Sequence, residues 1–198
     1  MLDWGKIRPD YRIILETVEF RATVLDLGCG NGDLLAMLEK EKKAKGQGIE
    51  IDEKAIYECV AKGVSVHHGD IDTGLSEYRD NSFDYVILNQ SLQQVKNVEN
   101  VIADSLRVGK NVIVGVPNFA YYKARIQLGL LGKSPETSSL PYKWYETPNL
   151  RFLTLKDFID FCKSKNIKIK NARYTGESFR IYLFQNLFAN VGIFTLSK

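Results

Sequence analysis

Cysteine and histidine are scarce in this chain of 198 residues, with three of the first and two of the second. Cys29, Cys59 and Cys162 are odd in number, far apart and form no C-x-x-C pair, so free thiols are expected rather than a disulfide framework or a zinc site. His67 and His68 are adjacent but have no third Cys/His partner, so neither a metal nor a general base is assigned to them. Charge of one sign is also missing. The 27 Lys+Arg against 24 Asp+Glu leave +3, too small a surplus for electrostatic capture of nucleic acid. No apolar run approaches the ~18 residues that cross a bilayer, so no membrane partner is expected. The opening MLDWGKIRPDY sets Asp3, Lys6, Arg8 and Asp10 where a signal peptide needs an apolar stretch, so a cytoplasmic location is expected. Internal repeats and low-complexity tails are lacking.

What is present suits one globular α/β domain over residues 1–198: 44% hydrophobic, 26% charged and 11% aromatic residues. TVLDL (23–27), GQGIEI (46–51), VSVHH (64–68), FDYVILN (83–89) and NVIVGVP (111–117) read as strands. Helical stretches lie between them: 33–45 carries Leu34, Leu35 and Leu38 on one face, and 53–63 carries Ile56, Cys59 and Val60. Such alternation predicts βαβ units and a mostly parallel sheet. A helix from TLKDFIDFCKSKN is predicted next, capped by Thr154 with Asp157 returning the bond, and 167–174 and 191–197 read as an antiparallel pair at the sheet edge.

The strongest motif is VLDLGCGNGDLL, a strand ending at Leu27, a loop with Gly28, Gly30 and Gly32, and a helix from about Asp33. Bare backbone beside a helix N-terminus receives an anionic group. The dinucleotide fingerprint places a third glycine where this chain has Asp33, and Asp26 would face a pyrophosphate. A carboxylate ~4 Å from a phosphate charge costs about 4 kcal/mol at an effective dielectric near 20. The same acid welcomes an ammonium or sulfonium while the loop amides, through Asn31, receive a carboxylate, a combination that S-adenosylmethionine presents. Glu50, 18 residues after Gly32, ends the second strand where an acid grips a ribose diol. In HHGDID, Gly69 and Asp70 offer an acceptor for the adenine amine, with Ile51 and Ile71 to sandwich the base. Asn89 and Gln90, at the end of the fourth strand, would meet the methionyl part. Singly, each acid also reads as a cap, a turn residue or a solvated strand end.

Taken in order, VLDLGCGNG, GIEID, GDID and FDYVILNQSLQQV resemble the cofactor motifs of class I S-adenosylmethionine-dependent methyltransferases. IRPDY, VPNFAYYKARIQL and LPYKWYETPNLRFLTLKDF resemble the MetW family of methionine biosynthesis proteins. That resemblance covers nearly the whole chain. It implies a Rossmann-like, seven-stranded sheet of order 3-2-1-4-5-7-6 and a partnership with homoserine O-acyltransferase. It supplies no methyl acceptor.

Methyl transfer needs chiefly an in-line approach to an activated leaving group. Asn89-Gln90-Ser91-Leu92 departs from the Asn-Pro-Pro-aromatic signature of amino methyltransferases acting on DNA bases or glutamine, so that subclass is not expected. Gln93 and Gln94 stand where many similar small-molecule enzymes have His-His, which removes a base. Residues 119–152 hold seven aromatic residues in 34 positions, about twice the chain-wide 11%, and are expected to form a lid inserted after the fifth strand, over a pocket or toward a partner. Arg8 has two readings, a reach to the ligand carboxylate and an ordinary surface ion pair, the second being the plainer. Two functions are therefore carried forward: an accessory subunit that binds S-adenosylmethionine, or its product S-adenosylhomocysteine, beside the acyltransferase, and an active methyltransferase on a small acceptor.

Overall fold

The computed structural model describes residues 7–198; Asp3 and Lys6 of the opening segment lie outside the described residues. Five strands, β1 (Thr23–Leu27), β2 (Lys45–Glu50), β3 (Val66–His68), β4 (Phe83–Asn89) and β5 (Gly109–Pro117), run parallel. β6 (Lys168–Thr175) pairs antiparallel with β7 (Val191–Ser197), and β7 pairs antiparallel with β5. The sheet order is β3-β2-β1-β4-β5-β7-β6, as the resemblance implied. Helices α1 (Pro9–Thr17), α2 (Asp33–Lys42), α3 (Glu53–Ala61), α4 (Val98–Val108), α5 (Tyr122–Gly129), α6 (Leu155–Ser164) and the short α7 (Gln185–Phe188) complete it.

Both faces of the sheet are covered, which is why β4 and β5 read as continuous apolar runs rather than alternating ones. On one face Ile13 and Ile14 of α1, Leu34, Leu35 and Leu38 of α2 and Cys59 of α3 pack on Val24, Ile87 and Ile113. On the other, Val101, Ile102 and Leu106 of α4 and Phe158 and Cys162 of α6 pack on Leu25, Val86, Val112 and Phe194. Each such fully buried side chain contributes roughly 1.5–3 kcal/mol relative to exposure. Val60, expected on the buried stripe of α3, is instead 63% exposed, because α3 meets the sheet through Cys59 alone among its fully buried residues.

The ends of the helices follow from local chemistry. Pro9 opens α1, where a missing N–H is harmless. Asp52 accepts from Ala55 N at the start of α3, and Thr154 and Asp157 form the reciprocal cap expected of α6. Lys43 in the left-handed region stops α2 two residues before β2. Because β1 leads to β2 on one side and β4 lies on its other side, the strand order reverses between β1 and β4. In open α/β sheets a crevice forms at that switch point, beyond the carboxyl ends of the strands.

Beyond α5, residues 130–154 carry no further helix or strand, only an isolated pairing of Thr137 with Leu140. This segment is nevertheless tied down. Leu150 N donates to Gln93 O at 3.0 Å, Arg151 Nη2 donates to Lys96 O at 3.1 Å, and Ser139 Oγ donates to Asn190 Oδ1 at 2.7 Å.

Candidate ligand-binding site

Gly28, Gly30 and Gly32 all adopt positive φ, so the chain turns sharply from β1 into α2 beside the crevice. At Gly28 a Cβ would lie 2.8 Å from Ser91 Cβ, so the loop and the turn after β4 approach one another as closely as they do only without a side chain. The loop is fixed from below by Gly28 N and Cys29 N, which both donate to Ile49 O.

Glu50 fixes it from the side. One carboxylate oxygen accepts from Gly30 N at 2.8 Å, and the other from Ile51 N at 2.8 Å and Asp52 N at 2.9 Å. Three backbone donors thus orient the carboxylate at the carboxyl end of β2, with lone pairs to spare. Asn31 caps the start of α2: its Oδ1 accepts from Asp33 N, and its Nδ2 donates to Asp33 Oδ2. Lys62 pairs with Asp33 at 2.7 Å.

Asp26 lies beneath the loop. It is 3% exposed, and its Oδ1 has no hydrogen-bond partner among the described residues. Burial, and secondarily the charge of Glu50, push its carboxyl up to about 7. Asn89, at the end of β4, is held through Nδ2, which donates to Asp10 Oδ2 at 2.9 Å, and its Oδ1 is a second buried acceptor without a partner. The amide extends over β5 because its register partner there is Gly115; a Cβ on that glycine would fall 2.1 Å from Asn89 Oδ1. Gln90 adopts φ 61° and donates from Nε2 to the same Asp10 oxygen at 2.9 Å.

A cavity of about 560 Å³ opens in front of this loop. It brings together Gly28, Gly30, Asn31, Asn89 and Gln90 of the residues expected from sequence. Glu50, Ile51, Gly69, Asp70 and Ile71 lie outside its wall, on the neighbouring shelf formed by the ends of β2 and β3. There Gly69 N donates to Glu50 O, Ile51 is 60% exposed, and Asp70 caps the next turn by accepting from Asp72 N at 2.9 Å. Asp26 is under the floor.

Sequence reasoning missed Asp10, which is 3% exposed and ties α1 to the site by accepting from Arg8, Asn89 and Gln90. Arg8 makes an ion pair at 2.6 Å, though with buried Asp10 in the cavity wall rather than at the surface, and also stacks over the Tyr11 ring at 4.4 Å. Proline at the first position of α1 was the available signal that a helix begins beside these side chains. The sequence left open which rings of the aromatic segment face a pocket, a partner or the core. Of its seven rings only Tyr142 lines the cavity, while Trp144 is 73% and Tyr145 59% exposed. The thiols of Cys29 and Cys59, separated in sequence, meet at 4.0 Å behind the loop because Gly32 and Gly48 leave room for them. Both are free, and burial pushes both upward.

The sheet order and the glycine loop define a class I methyltransferase fold. Two solved S-adenosylmethionine-dependent methyltransferases share it: one from Thermotoga maritima (17% identical, TM-score 0.67, covering 95% of this chain and 87% of that one) and one from Mesorhizobium loti (16%, TM-score 0.68, 96% of each). The sequence matches the family described as methionine biosynthesis protein MetW over residues 8–196, and the chain belongs to that family. A relative from Rhodopirellula baltica, the bifunctional methionine biosynthesis protein MetXA/MetW, is 37% identical over 172 residues, 82% of this chain. The chain spans 28% of that relative's length. Among the described residues no helix is long and apolar enough to cross a membrane.

Proposed function

We propose that this MetW protein binds S-adenosylmethionine, or S-adenosylhomocysteine, at the glycine loop and acts beside homoserine O-acyltransferase in methionine synthesis, in the cytoplasm. The observation that carries the ligand is the pair of buried, unpartnered acceptors Asp26 Oδ1 and Asn89 Oδ1 beside the glycine loop. Such a site wants a ligand with cationic donors and a carboxylate, and it repels a diphosphate. When bound, the ligand supplies a methyl group on a positively charged sulfur. Glu50 would accept from the ribose hydroxyls, Asp70 from the adenine amine between Ile51 and Ile71, with Gly69 giving the base backbone room. Gly28 and Gly30 would give the methionyl part backbone room, Asn31 would receive the carboxylate, and Asp26, Asn89 and Gln90 would serve the amino group.

The partner reading draws on the family and on the relative that carries both names in one polypeptide. The outward rings of Trp144 and Tyr145 in the 119–152 lid offer it a surface, since exposed aromatics anchor interfaces. A second reading, methyl transfer to a small acceptor, is favoured by the extension of the cavity past Gln90 to Gln93, Ser139 and Asn190.

Calorimetry with S-adenosylhomocysteine tests the ligand: binding is expected, weakened by about 1–3 kcal/mol in Glu50→Ala, and equal affinity for NADH would refute it. Co-purification with the acyltransferase tests the partner, and Trp144→Ala with Tyr145→Ala should abolish it without unfolding the chain. If those changes spare the complex but end methyl transfer to a defined acceptor, the second reading holds.

A further inference from the structure

The cavity is larger than the end of one ligand requires. From sulfur outward, including its methyl group, the tail of S-adenosylmethionine has nine non-hydrogen atoms. At about 30 Å³ each, the share of a water in the liquid, these fill about half of the 560 Å³. The remaining space has other residues in its wall, among them Gln93, Ser139 and Asn190.

Gln93 is one of these wall residues. It is 5% exposed, its Nε2 is committed to Gln90 O at 2.6 Å, and its Oε1 has no partner among the described residues. The side chain is therefore fixed with a bare acceptor, which is costly unless a donor arrives. The same cavity is lined by a chain of polar groups: Ser139 Oγ donates to Asn190 Oδ1, Asn190 Nδ2 donates to Ser138 Oγ at 2.9 Å, and Ser138 Oγ donates to Glu177 Oε1 at 3.4 Å.

Charge narrows the occupant further. The cavity's Arg8 is paired with Asp10, and its Glu177 is paired with Lys123 at 2.7 Å, so each already has its counter-charge. A ligand of net charge would be held here without an opposite partner of its own, which is unfavourable away from water. A zwitterion brings both signs. Its carboxylate can use the guanidinium N–H groups of Arg8 that Asp10 and Tyr11 leave over, and its ammonium or hydroxyl can donate to Gln93.

We propose that the half of the cavity around Gln93 binds a second small metabolite of zero net charge, of the class of free amino and hydroxyamino acids, with an amine or hydroxyl donating to Gln93 Oε1. This rests on the reading that the glycine-loop half takes the S-adenosyl ligand. The intact protein, with and without saturating S-adenosylhomocysteine, is titrated calorimetrically with L-serine, L-homoserine and L-methionine, and with L-aspartate and putrescine as charged controls. At least one zwitterion is expected to bind saturably in the millimolar range or tighter, with both controls about tenfold weaker or worse. Gln93→Leu, checked for an unchanged melting temperature, should weaken the zwitterion about tenfold, the worth of one hydrogen bond, and leave S-adenosylhomocysteine affinity unchanged. Gln93→Glu, of the same shape, should turn the preference toward putrescine. The proposal is overturned if no zwitterion saturates in either condition, if the charged controls bind equally well, or if both Gln93 variants bind the zwitterion as the parent does. Failure of S-adenosylhomocysteine to bind is a separate result, which sinks the cofactor reading.

Discussion

Replacing Asp26 by asparagine should stabilise the ligand-free protein at pH 8 while impairing its binding of a cationic ligand. The carboxyl is buried, and burial first, then Glu50, raise it from 3.8 to about 7. That displacement corresponds to about 4 kcal/mol of penalty on the ionised form. Below about pH 4 the group is protonated in both folded and unfolded chains and the penalty is absent. Between about 4 and 7 the unfolded chain gives up its proton while the folded one keeps it, so stability falls as pH rises; above about 7 the whole penalty stands. Asparagine keeps the shape without the charge but leaves a buried amide unpartnered, which returns about 1–3 kcal/mol of the gain. The net expectation at pH 8 is about 1–3 kcal/mol in favour of Asp26→Asn. Urea unfolding from about pH 4 to pH 8 measures it. The parent should lose stability across that range relative to the variant, apart from the slopes other groups give both proteins. A variant less stable than the parent at pH 8, or the same pH slope in both, would refute the reasoning.

Because the ligand's ammonium and sulfonium favour the ionised Asp26, affinity for S-adenosylmethionine should fall about tenfold from pH 8 to pH 6 in calorimetry, a dependence that Asp26→Asn removes. Asp10→Ala unpairs Arg8, Asn89 and Gln90 together and should destabilise the fold by about 1–3 kcal/mol in urea titrations and weaken ligand binding too. Gly115→Ala drives a methyl group onto Asn89 Oδ1, with about 1–3 kcal/mol of overpacking expected from its melting transition and a loss of ligand affinity that alanine at the open site Gly129 does not cause.

The strands of the βαβ run were legible because burial on both faces writes itself as β-branched stretches; β1, β4 and β7 begin and end where the pattern places them. The acids at strand ends were legible because topology fixes where strand ends go. Asp10 was not, since it meets Asn89 across 79 residues and its spacing from other polar groups carries no signal. The meeting of Cys29 with Cys59 was hidden likewise: it depends on two missing Cβ atoms, at Gly32 and Gly48, in other elements. The orientation of the 119–152 rings was left open by the sequence for another reason. Apolar composition predicts that a surface is covered, but it does not say whether the chain itself or a partner covers it, and with prolines at 135, 141 and 148 the segment builds no regular face to bury Trp144 and Tyr145.

The two strand-end acids divide the work of the site in a way their similar positions conceal. Glu50 is satisfied by three backbone donors before any ligand arrives, so its orientation is set in advance and little ordering remains to be done on binding. Asp26 has the opposite condition, a buried oxygen with nothing to accept from. A ligand that donates to Asp26, directly or through water, therefore relieves a cost already present in the free protein, and its binding free energy includes that relief. The same logic extends to Asn89 Oδ1 and Gln93 Oε1. Filling the two parts of the cavity would satisfy separate orphans, so stabilisation by two ligands together should exceed that by either alone.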